Sequence, residues 1–529
     1  LASNTTGDFN IAIGYNALDA NTTADDNTAV GTSALGANTT GASNIAIGKN
    51  TLVTNTTGAG NTAVGHKTLQ ANTTASYNTA VGFEAGYNNT TGAYNTALGA
   101  SALVSNTTAS NNTAVGYSAL LDNTTGAQNT AFGRLALANN TTAGENVAMG
   151  SAALLTNTIG ANNTALGSSA LYANTTASNN TAVGTNALSE NTTGSVNTAV
   201  GTDALRLNTT GPHNTAVGYK ALDINTTGTL NTALGSNALL LNTTGDSNTA
   251  VGMQALDANT TADNNTAVGY LALSTNTTGS ALTAIGAAAL DANTTGIDST
   301  AVGVSALSEN TTGNYNVAVG RVALLHNTTA SNNTAVGFSA GEFATTADNS
   351  TFVGFQAGQG ITGVKLTGDN NTAVGKDAGL LLQGAAANNT LVGALAGDAI
   401  TTGGSNTAVG QASLTTLTTA SYNTAMGLNS GLVLTTGADN TLIGVSAGTA
   451  LTTGTLNVAM GRNALSSGAI TNKNVAIGNN TLQSVDCDSS VDSLNTAVGF
   501  GAGGAVTTGT ENTLIGGLAG DALTTGGAN

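Results

Sequence analysis

Asn10, Asn27, Asn44, Asn61, Asn78, Asn95 and Asn112 open the same phrase, seventeen residues apart. The register holds without a slip to Ser350, carries small insertions before Asn371, Asn389 and Asn495, and ends with the phrase opened by Asn512. Its commonest form is N-T-A-V-G-x-x-A-L-x-x-N-T-T-G-x-x, whose residues define positions one to seventeen. A fixed period of this kind is the mark of a repeat architecture, in which each unit buries its apolar residues only against its neighbours.

The phrase is too short for two helices and a turn. It carries Gly at five and often at fifteen, and Gly in a helix interior costs about 1 kcal/mol relative to Ala. Thr and Val favour strands. Positions one to four therefore predict a short strand, Gly at five a turn, eight to fourteen a second strand, and fifteen to seventeen the return. That is one coil of a parallel β-solenoid, or β-roll, so the fold class is all-β. About thirty 17-residue coils, stacked ~4.8 Å apart, would extend roughly 140 Å. The composition agrees. Only 3% of residues are aromatic and 7% charged, against about 25% charged in ordinary domains, so large side chains are too few for one globular core.

Position four is always apolar, as in Ile13, Val30, Leu98, Phe132, Met149 and Ile443. Position three is nearly always Ala, becoming Phe352, Leu391, Leu442 or Leu514 late in the chain. Neighbouring strand residues point to opposite faces, so both faces of this strand are apolar. One fills the coil and the other needs a partner outside it. The expectation is that position four fills the coil and that the Ala rank meets a neighbouring chain.

Early coils pair Leu at nine with Asn at twelve, as in Leu18 with Asn21. Late coils pair Gly with an aliphatic, as in Gly358 with Ile361, Gly397 with Ile400, Gly431 with Leu434, Gly448 with Leu451 and Gly520 with Leu523. Volume-conserving swaps are what cores tolerate, so the two positions are expected to share one buried space. Leu414 with Leu417 and Gly86 with Asn89 depart from the rule. The trade divides the chain into residues 1–332, with Leu/Asn coils, and 333–529, with mainly Gly/aliphatic coils and small loop insertions.

The recurring Asn-Thr-Thr has two readings. It fits the N-glycosylation acceptor pattern. It also fits a buried ladder of stacked amides, which the replacement of this Asn by Ile400, Leu417, Leu434 and Leu451 favours.

The first half of the phrase reads N-I-A-I-G-Y-N-A-L at 10–18 and N-V-A-I-G-N-N-T-L at 474–482. It resembles the V-A-I-G-x-x-A repeat of YadA-type trimeric autotransporter adhesin heads, with similar repeats in phage tail fibres and other extracellular filaments. The resemblance runs through essentially the whole chain. It implies a left-handed parallel β-roll, three chains side by side, and surface attachment. The coil here is longer than the usual adhesin-head coil, and the N-T-T-G half is not part of that motif. Fold alone does not give function.

Residues that could carry chemistry are scattered. His66, His213 and His326 lie on different coils, so no Ser/His/Asp or Cys/His set is expected to converge. Asp8, Asp25, Asp26, Asp246, Asp263 and Asp348 sit at the last turn. Calcium needs six to eight oxygens, and the G-G-x-G-x-D signature of calcium-binding rolls is absent, so solvated turn carboxylates are expected. Asp486, Asp488 and Asp492 around the lone Cys487 form the best metal candidate, read as a plain loop. Tyr15, Tyr117, Tyr219, Tyr270, Phe83, Phe338, Phe355 and Phe500 share position six; they either cover a coil edge or subunit seam or form a carbohydrate-binding stripe. Most basic residues, among them Lys49, Lys67, Arg134, Lys220, Arg321, Lys376 and Arg462, lie at six or seven, and many acids at sixteen or seventeen. In an oligomer these corners would meet across chains.

No phosphate-binding G-x-x-x-x-G-K-[ST] loop occurs, and the net charge of −17 argues against nucleic acid, which needs clustered Lys and Arg. No apolar run reaches the ~20 residues of a membrane span. The chain begins at Leu1 and stops at Asn529 in mid-motif, as a piece of a longer protein would. These features lead to a structural or adhesive extracellular fibre segment, on a cell surface or virion, that self-associates as a homotrimer. Catalytic residues, cofactors, metals and membrane insertion are not expected, and the chain is read as no enzyme. The alternative is an ice-binding or carbohydrate-binding solenoid. With position twelve inward, Thr at thirteen is expected outward and Thr at fourteen inward, leaving one outward Thr rank on this stretch.

Overall fold

The computed structural model describes residues 1–487 and 492–528. The chain forms two compact units, Leu1–Asp263 and Asn264–Asn529. Each is a parallel β-solenoid. The first holds fifteen strands from Ile11–Ile13 to Thr249–Val251, the second fifteen from Thr266–Val268 to Thr513–Ile515. Within a unit each strand pairs in parallel with the next at matching repeat positions, as in Thr181↔Thr198, Ala182↔Ala199 and Val183↔Val200. In the second unit, register survives the insertions: Phe352 pairs with Ala373 across the 21-residue coil. Among the described residues there is no helix long and apolar enough to cross a membrane.

Each coil has one strand, at positions two to four. Among the described residues the expected second strand over eight to fourteen does not form. Positions seven and nine adopt left-handed backbone, with φ of 58° at Ser33 and 49° at Leu35, which no extended strand tolerates. The chain instead makes successive tight turns, closed by Ala34 N–H to Gly31 O (3.3 Å) and Asn38 N–H to Leu35 O (3.2 Å). The turn backbone still bonds from coil to coil, as from Leu35 N–H to Thr51 O (3.1 Å) and from Thr39 N–H to Thr56 O (2.9 Å). Gly at five has φ near +135°, and a Cβ on Gly201 would sit 2.4 Å from the Gly218 carbonyl oxygen. Only Gly fits that rank.

Position nine is Leu or Gly in every coil; its φ near +50 to +60° keeps out Val and Ile, which would fill the same interior space. A β-branched residue is a genuine outlier there. The space shared by nine and twelve is real and includes position three, but in the coil opened by Ser350 the buried residue is Leu366 and not the partly exposed Ile361, because four extra residues carry Ile361 into a turn. A Cβ on Gly448 would lie 2.8 Å from Leu442 and 2.9 Å from Leu451. Large residues at three occur where Gly stands at nine in both their own and the preceding coil: Phe352 with Gly341 and Gly358, Leu391 with Gly379 and Gly397, Leu442 with Gly431 and Gly448, Leu514 with Gly503 and Gly520.

The inward and outward faces of the strand are reversed from expectation. Ala199, at three, is fully buried, and Val200, at four, lies partly exposed at the surface. The cause is Asn at position one. Asn197 is buried at 1% exposure, and alternation along the strand then carries three inward and two and four outward. Leu at nine occupies the interior, so Ala is what fits opposite it. Thr at fourteen is also outward, as Thr40 and Thr57 show, because the chain bends over the rim between the buried positions twelve and fifteen.

Asparagine forms two ladders. At twelve, Asn55 Nδ2 donates to Asn38 Oδ1 of the preceding coil (2.9 Å). At one, the Asn61 backbone N–H donates to Asn44 Oδ1 (2.9 Å). The Gly58 carbonyl oxygen accepts from both Asn55 Nδ2 and Asn44 Nδ2, each at 2.9 Å. Asn21, Asn38 and Asn55 are fully buried, as the ladder reading of Asn-Thr-Thr requires.

Candidate functional site

With positions one and three inside, positions seventeen, two, four and six alternate outward across the strand side of every coil. Of the large apolar side chains exposed among the described residues, all but seven sit at these four positions. In interior coils Tyr94 is 59% exposed at seventeen, Ile45 39% at two, Leu98 46% at four and Tyr117 58% at six. Scattered exposed apolar residues need no explanation, but a contiguous band marks an interaction surface. Sequence reasoning chose the wrong strand face and missed positions two and seventeen. The buried Asn at position one was the missing signal.

Stacking brings ring on ring along this side. Tyr77 and Tyr94, both at seventeen, lie 5.2 Å apart between centroids. At six, Phe338 and Phe355 stack at 5.4 Å and His66 and Phe83 at 5.7 Å. Arg321 lies 5.9 Å from the Phe338 ring centroid. Lys49, Arg134, Arg321, Lys376 and Arg462, at six, border one edge of the band, and acids such as Asp26, Asp298, Asp439 and Glu511, at seventeen, border the other. Some charges pair along a rank instead: Lys67 with Glu84 at 3.2 Å, and Arg206 with Asp223 at 2.8 Å. The Asp223 hydrogen bond holds the Arg206 guanidinium above its ordinary pKa.

The turn carboxylates have a structural role. Asp25 Oδ1 accepts the Asp8 N–H (2.8 Å), Asp263 Oδ1 the Asp246 N–H (2.7 Å), and Asp348 Oδ1 the Ser331 N–H (2.6 Å). Ser76 caps the Ala59 N–H in the same way (3.0 Å), so the position calls for an acceptor and not for a charge. Near Cys487 the acids diverge. Asp486 accepts the Ala469 N–H, Asp492 pairs with Lys473, and Cys487 is buried. Asp488 lies outside the described residues. No group of three or more potential metal ligands occurs among the described residues.

Of the histidines, His213 stands at a position-seventeen turn with left-handed backbone. His326 does meet an acid, its Nδ1 lying 3.0 Å from Glu309 Oε1. The two are seventeen residues apart, so they stack as vertical neighbours. Reading the repeat column by column would have found them.

No protein-family model matches the chain, and no curated protein matches it.

Proposed function

We propose that the chain is a structural and adhesive segment of an extracellular fibre, on a cell surface or a virion, in which parallel chains associate side by side through their strand sides. The observation that carries this reading is the concentration of exposed large apolar side chains at seventeen, two, four and six in each unit. The edges of the band support it. A parallel neighbour would bring the base-carrying corner of one chain against the acid-carrying corner of the next. Such a contact joins two different edges and closes only in a ring. Three chains is the number that the resemblance to trimeric adhesin heads implies. The fully buried Ala rank is not the contact.

Ice binding is less well supported by the same face. Its Thr rank at two runs beside an apolar rank at four that includes Phe132 and Met149, a relief better suited to interlocking with protein. Sedimentation of the isolated segment tests association. A folded trimer is expected; a folded monomer at low concentration would sink the reading, and a dimer would leave the surface standing and remove the number three.

A further inference from the structure

The second unit departs from its uniform wall at the coil opened by Ser350. The coil opened by Ser350 has four extra residues, and they fold as a tight turn closed by Val364 N–H to Ile361 O (3.0 Å). The chain re-enters at Leu366, which is fully buried and pairs with Ala344 and Gly384. Gly360, at φ +86°, lets the turn press on Phe343, where a Cβ would lie 2.9 Å from Phe343 Cβ; Gly363 stands clear of every neighbour. Between this turn and the wall is a cavity of about 180 Å³, lined by Glu309, His326, Phe343, Val364 and Lys365 with two threonines behind them.

Glu309, His326 and Phe343 occupy position eleven of three successive coils. The His326 ring stacks on Phe343 with centroids 4.8 Å apart, and Glu309 holds it from the other side. Val364 is 44% exposed, and Lys365 is exposed and enters no ion pair among the described residues. The cavity is thus an apolar slot with an acceptor at one end and a free cation on its rim. Position eleven lies away from the strand side, so the slot stays open when chains associate.

We infer that this slot binds one sugar ring bearing a carboxylate, a hexuronic acid unit of a glycan. The volume is below the roughly 300–1,000 Å³ of a site for a drug-sized ligand, which fits a single ring. Phe343 and Val364 match the apolar C–H face of a pyranose. Glu309 accepts from its hydroxyls, and Lys365 pairs with its carboxylate through a charge-assisted hydrogen bond. The Glu309 carboxylate repels a dianion, which favours a monoanionic carboxylate over a phosphate. The assignment does not rest on lateral association.

The test titrates the full chain with glucuronate and, separately, glucose, followed by ligand-observed NMR, with protein mass recorded in parallel. Saturable glucuronate binding is expected, with glucose weaker by about tenfold or more, the worth of one charge-assisted bond. Lys365→Met, on an exposed turn, and Phe343→Leu should each weaken glucuronate about tenfold, while Lys473→Met should leave it unchanged. Absence of saturable binding, equal binding of glucose, or unaltered binding by both slot variants would overturn the site, whatever the protein mass.

Discussion

At the residue scale, the fold turns on a few positions where backbone and volume act together. Ala216 sits at position three between Leu205 and Leu222, both at nine. Ala216→Leu alone overpacks this space, a change that typically costs about 1–3 kcal/mol. The late coils show the remedy, so Leu205→Gly and Leu222→Gly together should restore much of the lost protection of the neighbouring amides in hydrogen exchange. A triple variant no better protected than Ala216→Leu would disprove the shared space. Asp257 is a second such position. Burial holds its carboxyl above the ordinary pKa, and its Oδ1 has no hydrogen-bond partner among the described residues. The folded chain therefore binds this proton more tightly than the unfolded one, and stability falls as pH rises from the unfolded value of about 3.9 through the raised folded value. Asp257→Asn should raise local protection at neutral pH, and the gain should vanish as pH falls toward the unfolded value. A gain independent of pH would mean that ionisation is not the cause. The nine–twelve trade was legible in the sequence because compensating volumes leave a pattern. The left-handed backbone behind it was not, since Leu carries no sign of positive φ.

At the scale of the coil, the amide ladders replace the large apolar core that the composition cannot supply. A buried acceptor left without a partner costs about 1–3 kcal/mol, so the ladders hold only while each rung is filled. Asn225 is a middle rung, donating to Asn208 Oδ1 and accepting from Asn242. Asn327 is the last rung before Ala344 takes position twelve. Its amide is turned to accept the Ala330 N–H, and among the described residues Asn310 Oδ1 below it is already unpaired. Both coils carry Leu at nine, so replacing either Asn by Leu adds the same volume. Asn225→Leu should open the adjoining coils by roughly 1–3 kcal/mol in hydrogen exchange, and Asn327→Leu by clearly less. Equal losses would show that packing, not the ladder, sets the cost. The position-twelve ladder was readable because aliphatic residues replace Asn there. The position-one ladder was hidden, since almost nothing replaces that Asn, and without it the strand was read inside out. Positions eight to fourteen, with alternation suited to a strand, fold as turns because the Leu at nine must point inward from left-handed backbone.

At the scale of the whole molecule, what the strand reversal changes is the surface offered to other chains. The repeat that stacks coils also repeats the outward band, so a lateral contact made through it would recur at every coil. That predicts a graded response. Val183, Val200 and Val217 lie on three successive strands of the first unit, outward at position four. Ala182, Ala199 and Ala216 beside them are fully buried. Lys at any of the three alanines would bury an unpaired charge and open the coil. Lys at the three valines should leave the solenoid intact, because its ammonium stays in water. Each valine removed from a lateral contact forfeits roughly 1 kcal/mol, so the triple variant should weaken association about a hundredfold per chain. Like charges facing across the contact would add to the loss. Mass photometry reads the association and hydrogen exchange reads the fold. Dissociated but protected chains are the expected result. Chains that stay associated would place the contact on another side, and chains that lose protection would restore position four to the interior.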